Sequence, residues 1–85
     1  MLSRKKTFYS LSIIEQAKEL YLEGTFVVSI RYYGYKVNLY LYENEYIEVF
    51  YNHKLDLVEK IQPMDFSHSR MKFYEDQISI KSVAQ

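Results

Sequence analysis

The chain has 85 residues, with eleven basic and eleven acidic side chains and no cysteine. This length allows one small domain, so we predict a single domain over residues 1–85, with fraying of residues 1–9 and 81–85 at its ends. Without cysteine, disulfides, thiolate metal sites and thiol nucleophiles are excluded, and the balanced charge provides no overall field to attract nucleic acid or an anionic membrane.

The first predicted element is an amphipathic helix between Leu11 and Gly24. Ser12 and Glu15 fit a capping box at its start, and Gly24 fits the left-handed position that follows a last helical turn. Its apolar face is formed by residues that recur at spacings of three and four, as such a helix requires: Ile13, Ile14, Ala17, Leu20 and Tyr21.

After Gly24 the apolar period changes to two, which is typical of β-strands. Three strands are predicted, around residues 25–32, 36–42 and 46–51, and a less regular fourth strand over Leu57–Gln62 ends at Pro63. The turn signals between them predict antiparallel hairpins in a meander. Residues from Ser67 to Gln77 have the spacing of a second short helix, and a fifth strand through Ile78 and Ile80 is the alternative.

The predicted fold is therefore α+β: an antiparallel meander of three or four strands, with an N-terminal helix packed on one face and a short C-terminal helix. A two-residue turn at Gly34-Tyr35 and a three-residue loop at residues 43–45 would set the pairing register. This register places Leu39 in a row with Ile30 and Val49, on a core face that the first helix covers.

The opposite face is predicted to be rich in tyrosine, since the sequence has ten tyrosines and seven of them lie within residues 32–51. Three interpretations remain open. Cross-strand aromatic pairs stabilise the sheet, with partial cover from the second helix; or the face binds another protein, because Tyr, Phe and Arg are common interface anchors; or it stacks single-stranded RNA or DNA. The nucleic-acid interpretation depends on the hairpin tip from Arg31 to Lys36, which combines two cations with three tyrosines.

Catalytic and metal-binding patterns are missing from the sequence. His53 and His68 are isolated in turn-like segments, and neither has further ligands at the spacing of a metal site. Phosphate-binding glycine loops, nucleophile elbows and zinc-protease helices are also missing. We therefore predict no catalytic residue, no metal and no cofactor.

The N-terminal residues are basic but have no uninterrupted apolar stretch and no small-residue cleavage site, both of which a secretory signal requires. No apolar run approaches the length of about 18 residues expected of a membrane span. These observations predict a cytoplasmic protein that makes no membrane contact.

Together these patterns favour a small non-enzymatic binding protein, including roles as a regulator or inhibitor of a larger protein. Its predicted partner is another protein or a second copy of itself, as in a homodimer-forming structural protein, and nucleic acid is the less favoured alternative. The candidate contact residues are Arg31, Tyr33, Tyr35, Lys36, Tyr40, Tyr42, Tyr46 and Phe50.

Two runs carry a resemblance to known sequences: Arg-Tyr-Tyr-Gly-Tyr-Lys-Val-Asn-Leu-Tyr, which begins at Arg31, and Glu-Val-Phe-Tyr-Asn, which begins at Glu48. The stretch from Phe26 to Ile61 that contains them resembles short uncharacterised bacterial open reading frames. The resemblance implies a bacterial or mobile-element source and no particular activity.

Overall fold

The computed structural model describes residues 7–67 and 71–77. The elements in these ranges are α1 (Ile13–Glu23), β1 (Thr25–Tyr32), β2 (Tyr35–Tyr42), β3 (Glu45–Asn52), β4 (Leu57–Pro63) and α2 (Met71–Gln77). The strands form one antiparallel sheet in the order β1-β2-β3-β4, which confirms the predicted α+β meander with a helix at either end. The fifth strand considered for residues 78–82, and the fraying considered for residues 1–6 and 81–85, lie outside the described residues.

Helix α1 begins at the predicted capping box. The Ser12 hydroxyl accepts a hydrogen bond from the Glu15 amide at 3.2 Å, and the Glu15 carboxylate accepts one from the Ser12 amide at 3.1 Å. The buried side of the helix differs from the prediction, because Ile14 and Tyr21 are exposed while Gln16 is buried. Gln16 tolerates burial because its side-chain amide donates to the carbonyl of Phe8 at 3.1 Å.

Phe8 lies in the segment for which fraying is predicted, but its side chain is buried in the core. Its ring lies 5.1 Å from the ring of Tyr42 and also packs with Leu20 of α1. A large aromatic ring in this segment thus completes the core beneath α1.

Gly24 ends α1 in an extended conformation, with φ −88° and ψ 170°, so the predicted left-handed conformation is wrong. Its amide donates to the Leu20 carbonyl at 2.9 Å, which draws the backbone close to the last turn. A Cβ atom at this position would lie 2.8 Å from the same carbonyl oxygen. Glycine is needed here for close approach and not for a positive φ.

Substitution of Gly24 by alanine is therefore expected to lower the free energy of unfolding by about 1–3 kcal/mol, the usual cost of forcing an extra methyl group into a closed space. Urea unfolding measures this loss. The matched control is Gly34→Asn, since Gly34 has φ 86° and open space around it and asparagine tolerates the left-handed region. Equal stability of Gly24→Ala and the wild type would contradict the close approach.

The sheet is buried on both faces, by a different helix on each. Helix α2 covers the face that contains Leu39, where a cluster of buried residues comprises Ile30, Val37, Leu39, Phe50 and Tyr74. Helix α1 and the residues before it cover the opposite face, where the buried residues are Phe8, Leu20, Tyr42, Ile47 and Val49. The sequence-based assignment of α1 to the face of Leu39 is thus wrong. We refer below to the Leu39 face and the Tyr42 face.

The side chains of β3 also lie on the faces opposite to those predicted, and this difference originates in the turn between β2 and β3. This turn has two residues, Glu43 and Asn44, and both have positive φ, at 51° and 65°, as in the type I′ turns that join hairpin strands. The turn signals in the sequence predict a loop of three residues, 43–45. A one-residue slip moves every side chain of a strand to the other face, so Leu39 pairs with Glu48 and not with the row of Val49.

The turn between β1 and β2 is also displaced, but without consequence for the faces. It consists of Tyr33 and Gly34, at φ 47° and 86°, and not of Gly34 and Tyr35. Ile30 therefore pairs with Val37 instead of Leu39. The pairing register of β1 with β2 thus differs by two residues from the predicted one. Because a shift of two residues keeps each side chain on its face, the side chains from Val28 onward lie on the faces that the sequence predicts.

Candidate interaction surface

The candidate contact residues do not form one surface. Phe50 is only 2% exposed and lies on the Leu39 face, whereas Tyr42 is 3% exposed and lies on the opposite face. Tyr46 shares the Leu39 face, at the end of the sheet where its ring lies 6.2 Å from that of Phe66. The prediction of an open Tyr-rich sheet face is therefore wrong, because the slip of β3 divides its residues between two covered faces.

Tyr35 and Tyr40 are half-buried, and both already have contacts within the chain. The Tyr35 hydroxyl donates to the Glu59 carboxylate at 2.6 Å, and its ring meets that of Phe50 edge-on at 5.7 Å. The Tyr40 ring packs edge-on against Phe26 at 5.7 Å. These two tyrosines thus support the sheet more than they present a surface.

Apart from Tyr46, which is 38% exposed, the accessible part of the predicted site is the hairpin tip. Tyr33, in the turn, is 84% exposed. Arg31 and Lys36 are exposed and lie directly opposite each other on β1 and β2. Like charges in this position destabilise a sheet slightly, so an anion placed between them would relieve repulsion.

Many of the tyrosines are used for a purpose that sequence analysis missed, which is hydrogen bonding to carboxylates. Their hydroxyl groups donate to acidic side chains that lie between 5 and 36 positions away in sequence. The pairs are Tyr9 with Glu45, Tyr35 with Glu59, Tyr42 with Glu19, Tyr51 with Asp56 and Tyr74 with Glu48. Half of the ten tyrosines are thus explained by the fold itself.

Three of these hydroxyl groups have a raised pKa. Burial, together with the charge of Glu45 and the hydrogen bond to it, raises the pKa of Tyr9 from 10.0 to about 12. The hydrogen bond to Glu59 raises the pKa of Tyr35, and the hydrogen bond to Asp56 raises that of Tyr51. In each pair the neutral phenol is favoured because a phenolate would lose the donated proton and face a carboxylate.

Alkaline pH is therefore expected to destabilise the protein through these groups. Above pH 10.0 the unfolded chain releases the Tyr9 proton, whereas the native state keeps it up to about pH 12, so the free energy of unfolding falls in this window. Below pH 10 the contribution is fully present. Urea unfolding at a series of pH values measures the slope. Tyr9→Phe should reduce the slope, since only Tyr35 and Tyr51 then contribute to it, and an unchanged slope in that variant would contradict the assignment.

A different exposed surface lies where α1 passes into β1. Four large apolar side chains are exposed there within seven consecutive positions, and we call them the junction patch: Tyr21, Leu22, Phe26 and Val27. Ile14, two helical turns before Tyr21, is also exposed and extends the patch along α1.

A β-bulge shapes the strand side of this patch. Phe26 pairs with Tyr40 and Val28 with Leu39, which leaves Val27 as an extra residue. The bulge turns Phe26 toward the Tyr42 face, although simple alternation predicts it on the same face as Val28. The signal available in the sequence was the surplus of apolar residues at positions 20–22 and 26–28, more than one helix stripe and one strand face can bury.

The described residues show no cluster of three or more metal-ligating side chains. In the same part of the chain, no helix has the length and apolar character needed to cross a membrane. No family model, curated protein or solved structure matches the chain. The resemblance to bacterial open reading frames therefore stays a prediction.

Proposed function

We propose that this chain is a small non-enzymatic interaction protein, and that its contact surface is the junction patch with the adjoining edge of β1. The observation that carries the proposal is the exposure of Tyr21, Leu22 and Phe26 at one junction. Aromatic and aliphatic side chains gathered on an exposed surface are characteristic of protein interfaces. The sequence also favours a protein-binding role, but the junction patch is a different surface from the predicted Tyr-rich face.

The composition of the patch favours a protein partner over a charged ligand. Its four side chains are uncharged, so burying them against another apolar surface costs no desolvation of charge. Acidic and basic residues adjoin it at Lys18 and Glu23, as in interfaces with an apolar centre and a polar rim.

Site-specific photo-crosslinking in cells tests this surface directly. A photoreactive side chain at Leu22, which is 68% exposed, is compared with one at Leu55, which is 58% exposed and lies in the turn between β3 and β4. We expect a protein adduct from position 22 and none from position 55. The adduct should disappear when Tyr21 and Phe26 are replaced by serine, in a variant whose circular dichroism shows that it is folded.

Adducts of equal yield from both positions, or none from position 22, would overturn the assignment of the patch. Because the two sites are matched in residue type and exposure, unequal yields cannot come from accessibility alone. Mass spectrometry of the adduct then identifies the partner, which is either a second copy of the chain or a different protein.

A second candidate function is binding of single-stranded nucleic acid at the hairpin tip. The observation in its favour is the exposed pair of Arg31 and Lys36 beside Tyr33, since phosphates would neutralise the cations while a base stacks on the ring. A labelled oligonucleotide titrated at increasing salt tests it. Affinity that falls steeply with salt and is lost in Arg31→Gln/Lys36→Gln would support it, and no binding at low salt would exclude it.

A further inference from the structure

We infer that the partner at this surface is a second copy of the chain, whose β1 pairs antiparallel with this β1 and joins two four-stranded sheets into one continuous sheet. The inference rests on the proposed function, because it names the partner of the same surface.

The two edge strands of the sheet, β1 and β4, differ in how well they are protected against pairing with a further strand. The β4 edge has a bulge at Glu59, carries Lys60, and ends in Pro63, which has no amide hydrogen. Strand β1 has eight residues, no proline and one charged side chain, Arg31. Its bulge at Val27 lies near the start and leaves residues Val28–Tyr32 regular. Among the described residues, β1 has no strand on its outer side.

The backbone groups that the β1 edge presents follow from the hairpin geometry. Tyr32 and Tyr35 flank a two-residue turn and therefore form a hydrogen-bonded pair, after which bonded and non-bonded pairs alternate. The N–H and C=O groups of Ile30 consequently point toward β2. Those of Ser29 and Arg31 point outward, to the side of β1 that no strand of the described residues occupies.

Only one symmetric register uses these outward groups well. Antiparallel pairing centred on Ser29 would draw the bulged residue Val27 into the ladder, and pairing centred on Arg31 would oppose two like charges. Pairing centred on Ile30 places Ser29 opposite Arg31 of the second copy. The two residues then exchange both of their backbone hydrogen bonds, and the two-fold axis repeats this pair on the other side of Ile30. This register also brings the exposed Tyr33 of one copy next to Val27 in the junction patch of the other.

The charge of the chain and the symmetry of the pairing favour a second copy as the partner of the β1 edge. The chain has a formal net charge of zero, so two copies do not repel each other as a whole. A two-fold axis through Ile30 closes the assembly, since the same surface is used on both chains. The protected β4 edge prevents further addition, and the product is a dimer and not a fibre.

The test is the solution mass of the full chain by sedimentation equilibrium over a wide concentration range. We expect the wild type to have twice the mass of one chain, 10.3 kDa. Ser29→Pro removes an outward amide, and Ser29→Lys sets a cation against Arg31 of the second copy. Both variants should show a two-fold lower mass with an unchanged far-ultraviolet spectrum. Ser29→Ala keeps the amide and should stay dimeric.

A charge reversal distinguishes loss of the dimer through this pairing register from loss caused by a general disturbance of the fold. Arg31→Glu added to Ser29→Lys makes the cross-copy pair attractive and should restore the doubled mass. A monomeric wild type at every concentration, or Ser29 variants that remain dimeric, would overturn the inference. If the wild type is monomeric while the Leu22 adduct contains a different protein, the proposed function stands and only the partner is wrong. If the mass is doubled but position 22 gives no adduct, the junction patch itself is wrong.

Discussion

Replacement of Phe50 by alanine is expected to lower the free energy of unfolding by about 3–5 kcal/mol, the usual cost of deleting a buried aromatic ring. The Phe50 side chain is 2% exposed and packs in the same cluster as Leu39 and Tyr74. A chain of this length has about 4–13 kcal/mol of stability, so the variant should be partly or wholly unfolded. Urea or thermal unfolding followed by circular dichroism measures the loss.

The same substitution decides the register of β3. If β3 were paired as the sequence analysis assumed, Phe50 would lie on an open face, and its removal would change stability by no more than about 0.5 kcal/mol. Val49, its neighbour, is also buried but on the opposite face. We therefore expect both Phe50→Ala and Val49→Ala to destabilise the protein. If β3 were buried on only one face, only one of the two substitutions would do so. Tyr33→Ala is the exposed control.

The helices and strands could be predicted because each is specified by residues close together in sequence. The Ser12 and Glu15 capping box marks the start of α1, and the change of apolar period after Gly24 marks the start of β1. Pro63 marks the end of β4. These signals act over one turn of helix or a few strand residues, so no knowledge of tertiary packing is needed to interpret them.

The sheet faces could not be predicted in full, because the sequence of β3 is compatible with either register. Four consecutive residues of β3, Ile47 to Phe50, are buried, so its pattern of apolar residues does not identify an inner and an outer side. The deciding feature was the turn at Glu43 and Asn44. Asparagine tolerates a positive φ, but glutamate is an unusual residue there, so a two-residue turn could not be recognised from these residues.

The candidate site was misjudged for a related reason. A tyrosine on an open sheet face and a tyrosine that donates to a remote carboxylate look the same in sequence. The bond from Tyr42 to Glu19 joins residues 23 positions apart, and its existence depends on α1 crossing that face. The surplus of apolar residues around Leu22 and Phe26 was visible, but only the positions of α1 and the bulge show that this surplus is exposed.

Replacement of Tyr74 by phenylalanine is expected to lower the free energy of unfolding by about 1–3 kcal/mol, although it deletes only one oxygen atom. The Tyr74 hydroxyl donates to the Glu48 carboxylate at 2.8 Å, and both side chains are almost fully buried on the Leu39 face. Without the hydroxyl, a buried carboxylate loses a donor that water cannot easily replace. Chemical denaturation measures the total loss.

Amide hydrogen exchange should show where the loss is concentrated. Helix α2 has seven residues, too few to be stable in isolation, so it depends on docking against the sheet. Tyr74→Phe should therefore accelerate exchange in α2 more than in β2. Tyr35→Phe removes a similar bond to Glu59 from an exposed site and should have little effect, because water replaces the donor.

Comparison of Tyr74→Phe with the wild type also tests why α2 packs on the Leu39 face and not on the Tyr42 face. An apolar helix stripe could pack on either side of a sheet that is apolar on both, but only the Leu39 face offers the Glu48 carboxylate at the position of the Tyr74 hydroxyl. Packing of α2 on the Tyr42 face would separate the Tyr74 hydroxyl from the Glu48 carboxylate, and both groups would be buried without this hydrogen bond. If Tyr74→Phe exchanges like the wild type, apolar packing of Met71 and its neighbours is sufficient to hold α2, and the hydroxyl–carboxylate bond does not specify the face.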